Sequence, residues 1–114
     1  MLEISKQTEK DQITLVLEGQ VDASNSVELD EAIGELLKKN HKKILVDGSG
    51  LEYISSAGLG VFMSYLEDFE EQEVQFLIYG LSEKVDNVFH ILGLDQLITI
   101  KANKEEALQT IHEA

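Results

Sequence analysis

Patterns typical of strands and patterns typical of helices alternate along the whole chain, and this alternation limits the possible folds more than any other feature of the sequence. Strand patterns occur at residues 2–4, 13–17, 44–46, 74–79 and 97–100. Helix patterns separate the last four strands, and one more helix pattern follows them. Strands that are joined through helices form right-handed crossovers. We therefore predict an α/β fold of order ββαβαβαβα, with four helices and a mixed, mainly parallel sheet whose first two strands are antiparallel.

The predicted helices depend on apolar residues that recur three or four positions apart, which places them on one side of a helix. These helices are predicted over residues 29–37, 59–69, 82–92 and 104–112. Glycine and short polar residues are typical of turns. Gly19 is therefore predicted to close the second strand, and the run Asp47-Gly48-Ser49-Gly50 is predicted to close the third.

The composition excludes several classes of protein. A chain of 114 residues fits one domain, 1–114, and it has no cysteine for a disulfide, a thiol nucleophile or a cysteine zinc site. The net charge is −13 and arginine is absent, so phosphate backbones and anionic lipid surfaces would be repelled. No apolar run is long enough to span a membrane, and the first residues lack a secretory pattern. We expect a cytoplasmic protein that binds neither nucleic acid nor membrane.

Signatures of common enzymes are also missing from the sequence. There is no phosphate-binding Gly-Lys-Ser/Thr motif, and the paired glycines at 48/50 and 58/60 lack the third glycine of a dinucleotide fingerprint. His41, His90 and His112 do not have metal-ligand spacing. We therefore predict no catalytic residues, no metal, no cofactor and no enzymatic activity.

One unusual stretch, Tyr53-Ile54-Ser55-Ser56-Ala57-Gly58-Leu59-Gly60, precedes the second helix pattern. A serine N-cap explains one of the two hydroxyls, and such a cap is worth about 1 kcal/mol. It does not explain the two glycines, since each glycine inside a helix costs up to about 1 kcal/mol. Free N–H groups and the positive end of the helix dipole would receive a phosphate at this position. The stretch therefore favours a phosphorylated hydroxyl on a surface that a partner approaches closely.

At these positions the sequence resembles the STAS domain family, and within it the anti-sigma factor antagonists of bacteria. The family pattern is an apolar strand, an Asp-x-Ser turn and a Ser-rich helix start of the form Ser-x-Gly-Leu. Here the pattern lies at 44–51 (Ile-Leu-Val-Asp-Gly-Ser-Gly-Leu) and 53–61 (Tyr-Ile-Ser-Ser-Ala-Gly-Leu-Gly-Val). Residues 17–22 (Leu-Glu-Gly-Gln-Val-Asp) resemble the family's strand-Gly-x-x-Asp segment. The predicted order of elements matches the family domain over residues 2–112.

The resemblance implies regulation by partner switching. An antagonist of this kind binds an anti-sigma factor that is also a serine kinase, and phosphorylation with ATP releases it. A serine phosphatase restores it. By motif position the phosphoacceptor is Ser56, and the resemblance places Asp22 and Asp47 at one end of the sheet beside it. The other residues of the implied partner-binding surface are Ser49, Ser55, Gly58 and Leu59.

Three positions depart from the family pattern. Many members have Asp directly before the acceptor, where this chain has Ser55, so Ser55 is a second candidate for phosphorylation. Ala57 stands where many members have Ser or Thr. Gly48 replaces a usually apolar residue, and we expect it to loosen the turn before the site.

Two other functions fit parts of the sequence. A STAS regulatory module could serve a different client, such as a two-component pathway or a transporter for which it is an accessory. A small enzyme or phosphocarrier could instead use Ser56 with Asp47 and Asp22, although phosphocarriers usually depend on a histidine and none lies near the motif.

Overall fold

Five strands form one sheet in the computed structural model, which describes residues 1–113. The strands are β1 (Leu2–Glu9), β2 (Gln12–Val21), β3 (Lys43–Ile54), β4 (Gln75–Tyr79) and β5 (Thr99–Lys101). They lie side by side in chain order; β1 and β2 are antiparallel, and the other neighbours are parallel. The predicted fold class and the mixed sheet are therefore confirmed. The predicted domain extends to Ala114, which lies outside the described residues.

The four predicted helical regions are present, and the second is divided. The helices are α1 (Ser26–Lys38), α2 (Ser56–Ser64), α3 (Leu66–Glu71), α4 (Glu83–Ile91) and α5 (Lys104–Glu113), with a short 3-10 turn at Leu94–Gln96. The division between α2 and α3 falls at Tyr65, whose N–H donates to the Phe62 carbonyl at 3.2 Å. This bond to the third preceding residue tightens the last turn of α2 and ends it.

The helices cover the two faces of the sheet unequally. Strands in chain order with right-handed crossovers place all the connecting helices on one face. That face holds the larger core, in which Leu15, Ile44 and Val46 of the sheet join Leu29 and Phe62 of the helices. The terminal helix α5 packs on the opposite face, where Ala107 and Ile111 bury Leu45, Leu77 and Tyr79.

The third strand does not end at Asp47-Gly48-Ser49-Gly50, so that prediction was wrong. β3 continues to Ile54, and its register with β2 shifts twice, between Val16/Glu18 and between Gly19/Gln20. Such bulges use the same small residues as turns but keep the chain in the sheet. They also rotate the later residues, so that both Leu51 and Ile54 reach the core.

The two glycines that were expected to interrupt strands have packing roles instead. β2 passes through Gly19, which has φ +104, and a Cβ there would lie 2.0 Å from the Met1 carbonyl oxygen. Gly48 is buried within β3, and a Cβ there would lie 2.5 Å from Cδ2 of Leu81. The Leu81 side chain thus occupies the space of the missing apolar residue, and no loosened turn forms.

Candidate functional site

The start of α2 lies where β2 and β3 end together. Val21 and Ile54 are partners in the parallel ladder, and the Ser55 N–H donates to the Val21 carbonyl at 2.9 Å. This bond draws the loop between β2 and α1 towards the first turn of α2. The carboxyl edge of a parallel sheet is where α/β folds usually place their functional groups. Asp22, Ser55 and Ser56 therefore share one edge.

The two adjacent serines have different roles. Ser55 is the N-cap of α2, and its side chain accepts a hydrogen bond from the Gly58 N–H at 3.5 Å. Ser56 is the first residue of the helix and is exposed. Within residues 1–113 its hydroxyl takes part in no hydrogen bond. The structure thus uses one hydroxyl as a cap and leaves the other available for chemistry.

Asp22 lies half-buried in the loop before α1 and keeps its negative charge. Its Oδ1 accepts hydrogen bonds from the Ser24 hydroxyl at 2.5 Å and from the Ser24 N–H at 2.9 Å. These bonds, the hydroxyl's first, lower the pKa of the Asp22 carboxyl below its usual value. Buried Asn25 holds the loop, since its Oδ1 accepts from the Asp22 N–H and its Nδ2 donates to the Gln20 carbonyl.

Asp47 and Ser49 do not lie at this edge, so the prediction that Asp22 and Asp47 line the same end was wrong. Asp47 pairs with Val16 and Tyr79, whereas Ile54 pairs with Val21. Residues 47–54 extend over about 20 Å of strand at the usual rise. The continuation of β3 through its bulges causes this separation. A single site that combines Ser56 with both Asp22 and Asp47 is therefore not formed, which removes the basis of the small-enzyme hypothesis.

Asp47, Ser49 and Tyr79 instead form a separate group, the β4-end cluster. The Ser49 hydroxyl and N–H donate to Oδ1 of Asp47 at 2.7 and 3.0 Å. Burial, followed by the negative charge of Asp47, raises the pKa of the Tyr79 phenol to about 12. The hydroxyl of Ser49 is thus bonded to a carboxylate that would repel an incoming phosphate.

Gly58 and Leu59 were expected on the partner-binding surface, but both are buried. A Cβ on Gly58 would lie 2.6 Å from Cγ1 of Val21 and 2.8 Å from Cγ1 of Ile54. Leu59 is 3% exposed and belongs to the core. Their role in the site is to seat α2 tightly against the ends of β2 and β3.

Ser56 was predicted, but four other exposed residues on or near α2 were not assigned to the partner-binding surface: Tyr53, Gly60, Met63 and Val27. Ser56, Gly60 and Met63 recur at helical spacing opposite the buried stripe, and a Cβ on Gly60 would meet no atom within 4 Å. Tyr53 lies near the end of β3, three residues before α2 begins. Val27 lies on α1, which packs against α2. Tyr53, Met63 and Val27 are 45%, 46% and 59% exposed. We call Ser56, Gly60, Met63, Tyr53 and Val27 the α2 surface. The helical spacing of Ser56, Gly60 and Met63 is the sequence signal that could have revealed it.

The helix dipole at the α2 start favours an anion. Its first turn contains no acidic residue, so the positive end of the helix dipole is not offset within the helix. No group of three or more His, Asp or Glu side chains in residues 1–113 is arranged to hold a metal ion. Over the same residues, no helix is both long and apolar enough to cross a bilayer.

Comparison with known proteins agrees with this architecture. The family model described as the STAS domain matches residues 3–107. The chain belongs to the STAS domain family. Relatives of this STAS domain include the anti-sigma-B factor antagonists of Listeria monocytogenes, 28% identical over 84% of both chains, and of Staphylococcus aureus, 26% identical over 76% of this chain and 81% of the relative.

Solved structures show the same fold at lower identity. An anti-sigma factor antagonist from Mycobacterium paratuberculosis superposes with a TM-score of 0.90 at 18% identity, covering 98% of this STAS domain and 95% of that chain. Unphosphorylated SpoIIAA, also an anti-sigma factor antagonist, gives a TM-score of 0.79 at 17% identity over 100% of this chain and 98% of its own. These likenesses, over nearly the whole of each chain, show that this STAS domain and the two antagonists share one fold.

Proposed function

We propose that this STAS domain is an anti-sigma factor antagonist that is switched by phosphorylation of Ser56. The observation that carries the proposal is the exposed Ser56 hydroxyl at the first position of α2, which has no hydrogen-bond partner in residues 1–113. The relatives that are named anti-sigma-B factor antagonists support this role. The existence of a phosphorylated form of the structural neighbour SpoIIAA supports control by phosphate.

In the unmodified state the α2 surface is proposed to bind an anti-sigma factor that is also a serine kinase. Tyr53, Met63 and Val27 supply apolar area at the centre of the contact. Gly60 leaves the helix backbone open, so a partner side chain can approach it more closely than any other residue would allow. This use of Gly60 offsets its unfavourable helix propensity.

Phosphorylation is proposed to proceed by attack of the Ser56 hydroxyl oxygen on the γ-phosphorus of ATP that the kinase holds. The bond from that phosphorus to ADP breaks, a bond to the serine oxygen forms, and the hydroxyl proton passes to a base of the kinase. The STAS domain contributes only the acceptor and its position. The free N–H groups and dipole of α2 tolerate the new phosphate, so the fold is retained.

Release follows from the local charge of the product. A phosphoserine carries about −1.5 to −2 charge and a tightly bound water shell. Placed at the first position of α2, within the proposed contact, this group would have to lose its water before the partner could bind again. The Asp22 carboxylate at the same edge of the sheet adds a like charge. A serine phosphatase that removes the phosphate would restore binding. The whole cycle is proposed to take place in the cytoplasm.

Kinase assays on serine variants test the proposal. The protein is incubated with ATP and the kinase-type anti-sigma factor encoded beside it, and the modified residue is identified by mass spectrometry. We expect phosphate on Ser56 in the parent protein and in Ser55→Ala, and none in Ser56→Ala. Phosphate on Ser55 in the parent protein, or no complex with the kinase in the absence of ATP, would contradict the proposal.

A further inference from the structure

A second group of exposed aliphatic residues lies away from the α2 surface. Apart from Met1, the large hydrophobic side chains that are strongly exposed fall into two sets of three. One set belongs to the α2 surface. The other set is Ile91, Leu92 and Leu97, which are 70%, 57% and 60% exposed. We call this set the α4–β5 corner; it follows the end of α4 and precedes β5.

A groove extends the α4–β5 corner towards α3. It has a volume of about 290 Å³ and is lined mainly by Leu66, Phe69, Val74, Phe76 and Leu97. Its floor is rigid, because Phe69 and Phe76 are stacked with ring centroids 4.5 Å apart. Val74 and Phe76 lie at the beginning of β4, whereas Ser56 follows the end of β3. The groove and Ser56 are therefore at opposite edges of the sheet.

The electrostatic potential around the groove is strongly negative. Glu70 lines it, and three further exposed glutamates of the same segment are Glu67, Glu71 and Glu73. None of these four forms an ion pair within residues 1–113. The negative dipole ends of α3 and α4 point to the same edge of the sheet. Lys42, whose Nζ donates to the Gln72 carbonyl at 2.8 Å, and His90 in the last turn of α4 offset part of this charge.

This charge lowers the stability of the domain itself. Carboxylates in the last turn of a helix oppose its dipole, and α3 has no basic residue there. Apolar side chains exposed beside them add an unfavourable hydrated surface. Both costs would be removed by a partner that brings aliphatic side chains to the groove and cations to its rim.

We propose that the α4–β5 corner and its groove bind an amphipathic helix whose apolar face is bordered by lysine or arginine. The apolar lining that α3, β4 and Leu97 supply suits the apolar face of one helix. A second copy of this chain fits poorly, because a two-fold contact would set the same glutamates against each other. This surface is independent of the proposed control by Ser56.

The test uses peptides of known composition. A leucine–lysine amphipathic helix of about 18 residues is titrated into the isotopically labelled protein at physiological ionic strength, followed by NMR. A leucine–glutamate peptide with the same apolar face is the comparison. We expect only the lysine peptide to shift the amides of residues 66–76 and 91–99.

Two uncharged substitutions make the test specific to the groove. Leu97→Ser, at a 60% exposed position, should keep the fold and weaken binding of the lysine peptide by roughly tenfold. Val27→Ser removes an equally exposed side chain from the α2 surface and should leave binding within about twofold. If Leu97→Ser and the parent protein bind the lysine peptide equally well, the peptide is held only by attraction between opposite charges, and the proposal is overturned. If the parent protein forms a dimer and Leu97→Ser dissociates it, the groove binds a second copy of this chain and the proposal is overturned.

Discussion

The α2 start and the β4-end cluster each place a serine beside an aspartate, yet they offer opposite chemistry. Ser56 is exposed at the positive end of a helix, and its hydroxyl has no hydrogen-bond partner in residues 1–113. The Ser49 hydroxyl lies on a strand and is already bonded to Asp47 at 2.7 Å, so it is not free. The comparison shows that the position of a serine in the fold, and not the neighbouring aspartate, decides whether its hydroxyl is free to react.

The largest expected effect distinguishes the two serines by charge. Ser56→Asp should weaken binding of the kinase-type anti-sigma factor by about a hundredfold, because like or unpaired charges in a contact cost several kcal/mol. Ser56→Ala should bind as the parent does. Ser49→Asp adds the same charge at the β4-end cluster and should change the affinity by less than about twofold. Isothermal titration calorimetry measures all three. Equal affinities for Ser56→Asp and Ser56→Ala would exclude the charge mechanism.

A second pair of variants separates the buried and open sides of α2. Gly58→Ala should lower the free energy of unfolding by about 1–3 kcal/mol, because its Cβ would lie 2.6 Å from Val21. Gly60→Ala should raise that free energy by up to about 1 kcal/mol, since its Cβ meets no atom within 4 Å. Urea unfolding gives both values.

The same pair tests the docking role of α2. Gly60→Ala is expected to bind the partner less tightly although it is more stable, because the new methyl group occupies the approach to the backbone. If Gly60→Ala proves both more stable and equally tight, Gly60 has no part in the contact. If Gly58→Ala is as stable as the parent, the close packing against Val21 and Ile54 is not a constraint.

Much of the architecture could be predicted because the spacing of apolar residues directly indicates helices, strands and their buried faces. The helix stripe that begins at Leu29 and the apolar run at Ile44 determined where elements lie and which faces are buried. The Ser-rich stretch gave the position of Ser56 at a helix start, because cap residues act locally. These features depend on contacts within a few residues along the chain.

The features that were missed depend on contacts between distant parts of the chain. Gly48 resembles a turn residue, but Leu81 fills its space and β2 holds β3 in the sheet. Asp47 and Asp22 were grouped by the family resemblance, and only the pairing register shows how far apart they are. Gly58 and Gly60 look alike in sequence; packing against Val21 separates a buried glycine from an open one.

The cap assignment predicts a smaller difference between the two adjacent serines. Ser55→Ala removes an N-cap and should lower the free energy of unfolding by about 0.5–1 kcal/mol, at the low end of the usual range because the bond to Gly58 is long. Ser56→Ala loses no hydrogen bond and should lie within about 0.5 kcal/mol of the parent. Thermal and urea unfolding can resolve the two. The reverse order would show that Ser56 is the cap.

The smallest expected effect concerns the charge of Asp22 beside Ser56. The Ser24 hydroxyl lowers the pKa of the Asp22 carboxyl from 3.8, so Ser24→Ala should raise that pKa towards 3.8 in an NMR titration. Because the folded pKa lies below the unfolded one, the stabilisation by this charge is complete above about pH 4. It is lost as the pH falls through the folded pKa, and less is lost in Ser24→Ala. The Glu35 carboxyl, whose pKa is lowered to about 2 by Lys39 and Lys6, should titrate identically in both proteins. An unchanged Asp22 pKa would mean that the loop backbone alone keeps Asp22 charged at the edge of the sheet where α2 starts.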